Sequence, residues 1–177
     1  MTANKSDEIY GHLRLPTKID DWEDRAPASL VRLTGNVGAW LAALEELAQT
    51  QLFSAMLRSN TYLWAMDNTD SIWLAVEELA IVQPEAGFMG YPRRRGYSDG
   101  VEQKKLGHPT LIREDETRSA RIAGELALDF FNQRCQWVLN ANSGRYCADS
   151  PPSESQLHAV AEEFLRCGVQ VTVDDVL

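Results

Sequence analysis

The stretch from Gly107 to Tyr146 holds GHPTL (107–111), ARIAGELALDF (120–130) and CQWVLNANSGRY (135–146). In its middle part Ile122, Leu126, Leu128 and Phe130 fall on one side of an extended chain, while Arg121, Glu125 and Asp129 fall on the other. Alternation of period two predicts a strand with one buried and one wet face. Past Asn132 and Gln133 the alternation resumes with Cys135, Trp137 and Leu139, and two such runs joined by a short polar segment predict a β-hairpin. Gly124 interrupts the first strand, which points to a bulge or to close approach by another segment or a ligand. The second strand runs out into Asn140, Asn142, Ser143 and Gly144, residue types that accept left-handed backbone angles and bond their own main chain. Arg145 and Tyr146 are therefore expected at a sharp turn, outside the ladder.

Downstream of the hairpin, Ser153 is placed to cap a helix that puts Leu157, Val160, Ala161, Phe164 and Leu165 on one face; Gly168 ends it, and VQVTV reads as a closing strand. Upstream, SNTYLWAMD and SIWLAVEEL flank Asn68, Thr69 and Asp70, a second hairpin signal, although the helix formers of WLAVEELA would also suit a helix. Val37, Trp40, Leu41, Leu44, Leu47, Leu52, Ala55 and Met56 recur at helical steps, which predicts one helix from an Asn36 cap to about Arg58, with Trp40 and Leu44 opening its buried stripe. Residues 1–33 read as an irregular arm held by anchors such as Leu13, Leu15, Ile19 and Trp22. Between Pro84 and Lys105 proline and glycine recur, so a long loop is expected there. It is basic, with Arg93, Arg94, Arg95, Lys104 and Lys105 against Asp99 and Glu102. A solvated loop and a flap that carries cations over an anionic ligand are both open readings.

Hairpins joined by short turns, with helices between them, predict an α+β fold in which helices cover one face of an antiparallel sheet; a doubly wound sheet is excluded. A chain of 177 residues, 44% hydrophobic, is long enough for one core, hence a single domain over 1–177. The formal charge of −9 argues against general nucleic-acid binding and suits a basic partner. Cys135, Cys147 and Cys167 form neither a disulfide framework nor a zinc pattern, so no metal or cofactor is expected. MTANKSDEIYGH lacks the apolar core of a signal peptide, and no apolar run is long enough for a bilayer, which together predict a cytoplasmic protein with no membrane contact.

If the main hairpin forms, its end lies near its beginning, and His108, Glu125, Ser143, Arg145 and Tyr146 are expected on one rim. The planar fork of an arginine suits carboxylate or phosphate. Each residue also has a structural reading: His108 as a turn residue, Arg145 bonded to its own fold, Tyr146 as an anchor with a satisfied hydroxyl. Ser143 lacks the Gly-x-Ser-x-Gly elbow of a nucleophile. The acidic pairs Glu45/Glu46, Glu77/Glu78 and Glu162/Glu163 read as solvated faces, and Asp20, Asp21, Glu23 and Asp24 lack the spacing of a calcium loop. Cys147 beside Arg145 is open to a lowered pKa but has no evident base.

The succession YLWAMD, GHPTL, ARIAGEL, WVLNANSGRY and CGVQV, from Tyr62 to Val173, resembles a family of poorly characterised bacterial domains whose hallmark is an aromatic strand running into Asn, then Ser-Gly-Arg-Tyr or Ser-Gly-His-Tyr. His108, Gly124, Glu125, Ser143, Gly144, Arg145 and Tyr146 match its hallmark positions. The resemblance implies a component of toxin, immunity or secretion-effector loci.

Two functions of different class follow. One is a small acidic binding module, an immunity or adaptor protein that neutralises a basic toxin or effector. The alternative is an enzyme or ligand-binding effector whose pocket of His108, Glu125, Arg145 and Tyr146 takes an anionic, nucleotide-like ligand under the Arg93, Arg94 and Arg95 loop. A structural homodimer built on exposed sheet edges is a third possibility.

Overall fold

Ile122–Phe131 and Arg134–Leu139 pair antiparallel from Leu126↔Leu139 to Phe131↔Arg134, with Asn132 and Gln133 as the loop, as the alternation predicts. Both loop residues have positive φ, 49° and 66°, the handedness that matches the twist of a tight hairpin. This hairpin belongs to a computed structural model that describes residues 5–83, 87–95, 103–114, 116–148 and 150–174. Along the chain come α1 (Lys5–Tyr10), β1 (Val31–Arg32), α2 (Gly35–Leu47), α3 (Gln51–Leu57), β2 (Tyr62–Met66), β3 (Ile72–Val76), β4 (Glu78–Gln83), β5 (Gly87–Pro92), β6 (Gln103–Lys105), β7 (Ile122–Phe131), β8 (Arg134–Leu139), α4 (Glu154–Arg166) and β9 (Val171–Val173). Short 3-10 turns lie at Asp21–Asp24 and His108–Leu111.

The fold is α+β. Its main sheet has six strands in the order β1-β3-β2-β7-β8-β9, and a smaller sheet has the order β5-β4-β6. The second expected hairpin is β2–β3, paired from Tyr62↔Val76 to Met66↔Ile72. Its turn is organised by the buried Asp67, whose carboxylate accepts from the amides of Thr69 and Ser71 and from the Trp73 indole.

Trp64, Met66, Ile122, Leu126, Leu128, Cys135, Trp137 and Leu139 meet Val37 and Leu41 of α2 and Leu157, Val160 and Phe164 of α4 in the main core. The Trp137 indole donates to the Leu41 carbonyl at 2.9 Å, so burying this ring leaves no orphan donor. On the opposite face Leu63, Ala65, Ala75 and Ala123 pack against Leu111, Ile112, Tyr146 and Cys147, so irregular chain, not helix, covers that side. Gly124 sits where a Cβ would lie 2.0 Å from the Asn140 carbonyl oxygen and 2.8 Å from the Ala141 Cα. The glycine therefore marks close approach by another segment, one of the two expected alternatives.

Several expectations need correction. β9 runs parallel to β8, because the chain returns through α4, and a helical crossover restores strand direction. The single helix to Arg58 is two: α2 is capped by Thr34, whose hydroxyl accepts from the Val37 amide, and ends at Leu47 before α3 begins. Trp40 is 62% exposed and does not open the buried stripe. The arm contains α1, a 3-10 turn and β1, and while Leu13, Leu15 and Ile19 are exposed, Trp22 is an anchor as expected, its indole donating to the Lys105 carbonyl, together with Tyr10, Leu33 and the buried Glu23. Phe130 faces solvent, and Arg121 is buried at 3% exposure, gripped by Asp7 and Asp70. Within the expected loop over 84–105, residues 87–92 and 103–105 are strands; residues 84–86 and 96–102 lie outside the described residues. Gly90 and Pro92 are tolerated because β5 is an edge strand. Glu78 is buried, its carboxylate held by the amides of Ala28 and Ser29 and by the Ser29 hydroxyl, so the Glu77/Glu78 pair is not a solvated face.

Candidate functional site

His108 begins the 3-10 turn after Gly107 and is buried, with Nε2 at 2.9 Å from the Gly124 carbonyl oxygen. A carbonyl only accepts, so Nε2 carries a proton. Burial pushes its pKa down to about 4. Arg145 donates from Nη1 to the Lys18 carbonyl and from Nη2 to the Asp20 carboxylate, both at 2.8 Å, and lies 3.4 Å from Glu23. Glu23 is fully buried and also accepts from the amides of Asp20 and Gly107. The Tyr146 hydroxyl donates to the Arg118 carbonyl, and its ring is buried.

The elements therefore meet as expected, since Glu23 takes bonds from both the Gly107 amide and Arg145, but the side chains do not form an open rim. His108, Arg145 and Tyr146 are engaged in bonds that hold the fold, and the guanidinium is turned toward two carboxylates. Nor do Asn140, Asn142, Ser143 and Gly144 adopt positive φ. The Asn140 side chain accepts from the Asn142 amide, and Ser143 to Cys147 make a helical turn closed by the Cys147 amide on the Ser143 carbonyl. Burial raises the pKa of Cys147, the opposite of an activated thiol.

Of the expected set, Glu125 and Ser143 share a cleft of about 440 Å³ with Asn142, Gly144 and Pro151. Glu125 is half-buried, and its pKa is raised by burial and then by Glu77; Arg95 and Lys105 oppose this from a distance, and a hydrogen bond from the Asn140 side chain opposes it directly. The Ser143 hydroxyl is buried without a hydrogen-bond partner.

The three arginines go separate ways. Arg93 pairs with Glu77 at 2.8 Å, Arg94 bridges to Asn60, and the Arg95 amide donates to the Ser59 carbonyl. The described part of the basic segment is thus stitched to the chain after α3, and it is not a flap.

That stitching frames a feature that helical periodicity placed in the core. Leu52 and Met56 of α3 are 68% and 58% exposed, with Phe53 beside them on the same helix. They border a groove of about 660 Å³, lined by Leu52, Ala55, Met56, Asn60, Pro92 and Arg94. The Arg58 guanidinium, at the end of α3, pairs with Asp129 and stacks over the Phe130 ring at 4.6 Å, which joins this surface to the hairpin tip with its exposed Phe130 and Phe131. The helix breaks at Gln49 and Thr50, whose amides turn back onto the Glu46 and Leu47 carbonyls, and this releases α3 from the stripe of α2.

Among the described residues no group of three His, Cys, Asp or Glu side chains is placed to hold a metal, and no helix is long and apolar enough to cross a membrane. Comparison with protein-family models, with curated proteins and with solved structures finds no match to this chain.

Proposed function

We propose that the chain is a small acidic protein-binding module, an immunity or adaptor protein of a bacterial toxin or effector system, which neutralises a basic partner. The observation that carries this reading is the concentration of exposed apolar side chains on α3 and the β7–β8 tip: Leu52, Phe53, Met56, Phe130 and Phe131. Large apolar side chains grouped on a surface lose contact with water when a partner covers them, and aromatic residues and methionine are enriched at such contacts. The charge supplies direction. With a formal charge of −9 and exposed acids at Asp21, Asp24, Glu46, Glu154 and Glu162, a basic partner is steered in, and the apolar face holds it. Arg94 at the groove edge takes a carbonyl or carboxylate of the docked segment. The engagement of His108, Arg145 and Tyr146 in structural bonds supports a binding role over an anion-processing pocket.

The test is capture of partners from the source cells by the wild-type chain and by Leu52→Glu/Met56→Glu. The reading expects a basic protein that is lost with the double variant and released as salt is raised. Capture that ignores the substitutions, or turnover of a nucleotide or protein substrate by the isolated chain, would contradict it.

A further inference from the structure

The cleft beside Glu125 shares no lining residue with the apolar groove, and three features set it apart. Among the described residues its lining includes a single charged side chain, the half-buried Glu125 carboxyl, which the Asn140 side chain bonds; Arg95 and Lys105 act on it only through space, and Glu77, itself paired with Arg93, lies nearby. Ser143 belongs to the lining and has a buried hydroxyl with no partner, so turning it toward a ligand breaks no existing bond. Gly144 has no backbone reason to be glycine: its φ is not positive, and a Cβ there would meet nothing within 4 Å. The missing side chain leaves the cleft open.

We propose that this cleft binds an organic cation, a primary ammonium or guanidinium group, with the Glu125 carboxylate as counter-ion and the Ser143 hydroxyl as a second acceptor. An anion is disfavoured because Arg145, the nearest arginine in sequence, is committed to Asp20 and Glu23, and no cation lines the walls among the described residues. A metal ion would need several ligands, and among the described lining residues Glu125 is the one carboxylate. A half-buried carboxylate without a close counter-ion gains most from a ligand that brings the charge and the hydrogen-bond donors together. The same chemistry is offered by a free alkylamine and by a lysine or arginine side chain of a protein.

The experiment is titration of the whole chain, followed by amide chemical shifts, with butylammonium, N-acetyl-lysine methylamide and N-acetyl-arginine methylamide, and with N-acetyl-norleucine methylamide as the neutral control. The cations should shift the amides of Asn142 to Cys147, with affinities on the order of millimolar for ligands this small. Glu125→Gln should weaken binding about tenfold. Ser143→Ala should weaken it without lowering the melting temperature, because its hydroxyl has no bond to lose in the free protein. Gly144→Val should block the cleft in a chain that still melts cooperatively. Binding should weaken as the pH is lowered, because a protonated Glu125 is no counter-ion, a response that a steric effect would not show. Tighter binding of the capped amino acids than of butylammonium assigns the cleft to a protein side chain, and the reverse assigns it to a free amine. Equal binding of the norleucine control, shifts that survive in both Glu125→Gln and Gly144→Val, or no shift with any cation would overturn the proposal.

Discussion

The Arg145 guanidinium donates to the Asp20 carboxylate at 2.8 Å, and through this bond the N-terminal arm is fastened to the turn that follows β8. The same guanidinium faces Glu23, whose carboxylate is fully buried. Arg145→Ala would strand that charge, and chemical denaturation should show a loss on the order of 3 kcal/mol. Arg145→Lys should recover only part of it, since an ammonium cannot reach the Lys18 carbonyl and Asp20 together as a planar fork does. A variant as stable as wild type would refute the fastening role.

His108 gives stability a pH dependence with a definite sign. Its folded pKa is about 4 against an ordinary 6.5, because burial disfavours the cation; Arg145 acts in the same direction, and Glu77 and the Gly124 carbonyl oppose it. The unfolded chain takes up this proton near 6.5 and the folded chain only near 4, so the stabilisation is complete above 6.5 and fades as the pH falls between them. The loss should be on the order of 3 kcal/mol. Asp7 and Asp20 are held below the usual carboxylate range, Asp7 chiefly by Arg121 and Asp20 chiefly by Lys18 and then Arg145. Their contribution is present above the unfolded carboxylate pKa and is lost as the pH falls through their lowered values. Denaturation curves of His108→Gln should be flat where wild type falls, with the more acidic limb unchanged.

Gly124→Ala should be among the most damaging single substitutions. The added methyl would sit 2.0 Å from the Asn140 carbonyl oxygen, and backbone cannot step aside as a side chain can. A loss of about 3 kcal/mol or more, or failure to accumulate folded protein, is expected. Near-neutral behaviour in a thermal melt would show that the strand and the turn are not packed this closely.

Gln133→Gly tests the hairpin loop in the opposite direction. Gln133 has φ +66°, a conformation that strains a side chain and suits glycine, and the replacement makes the loop Asn-Gly. A gain of about 0.5–1 kcal/mol is expected in thermal or chemical unfolding.

Much of the sheet was legible because its central strands are paired with sequence neighbours and have one face in the core. Trp64 and Met66, Ile122 and Leu126, and Trp137 and Leu139 announce their faces by alternation alone. β5 was hidden because an edge strand tolerates the glycines and the proline that elsewhere signal a loop, and β4 because the helix formers Glu78, Leu79 and Ala80 open it. The parallel placement of β9 was hidden because direction in a sheet depends on where α4 carries the chain, not on the residues of the strand. At the candidate site the nearness of Glu125 and Ser143 was legible, while the open rim expected of His108, Arg145 and Tyr146 did not form, because each is bonded into the fold. Glu23 sits in an acidic cluster that looks solvated, and only the fold reveals that the Gly107 amide and Arg145 converge on it. Leu52 and Met56 follow a helical period into what looks like a core stripe, and the break between α2 and α3 turns them outward.

The apolar face of α3 is tested most directly by Phe53→p-benzoylphenylalanine, a photo-crosslinking residue, introduced in the cells that make the protein. Irradiation should yield a crosslink to a basic protein, while the same residue at Ser155, exposed on α4, should yield none. No heteromeric crosslink from position 53, or equal crosslinking from both positions, would contradict the assignment of α3 as the surface that holds the partner.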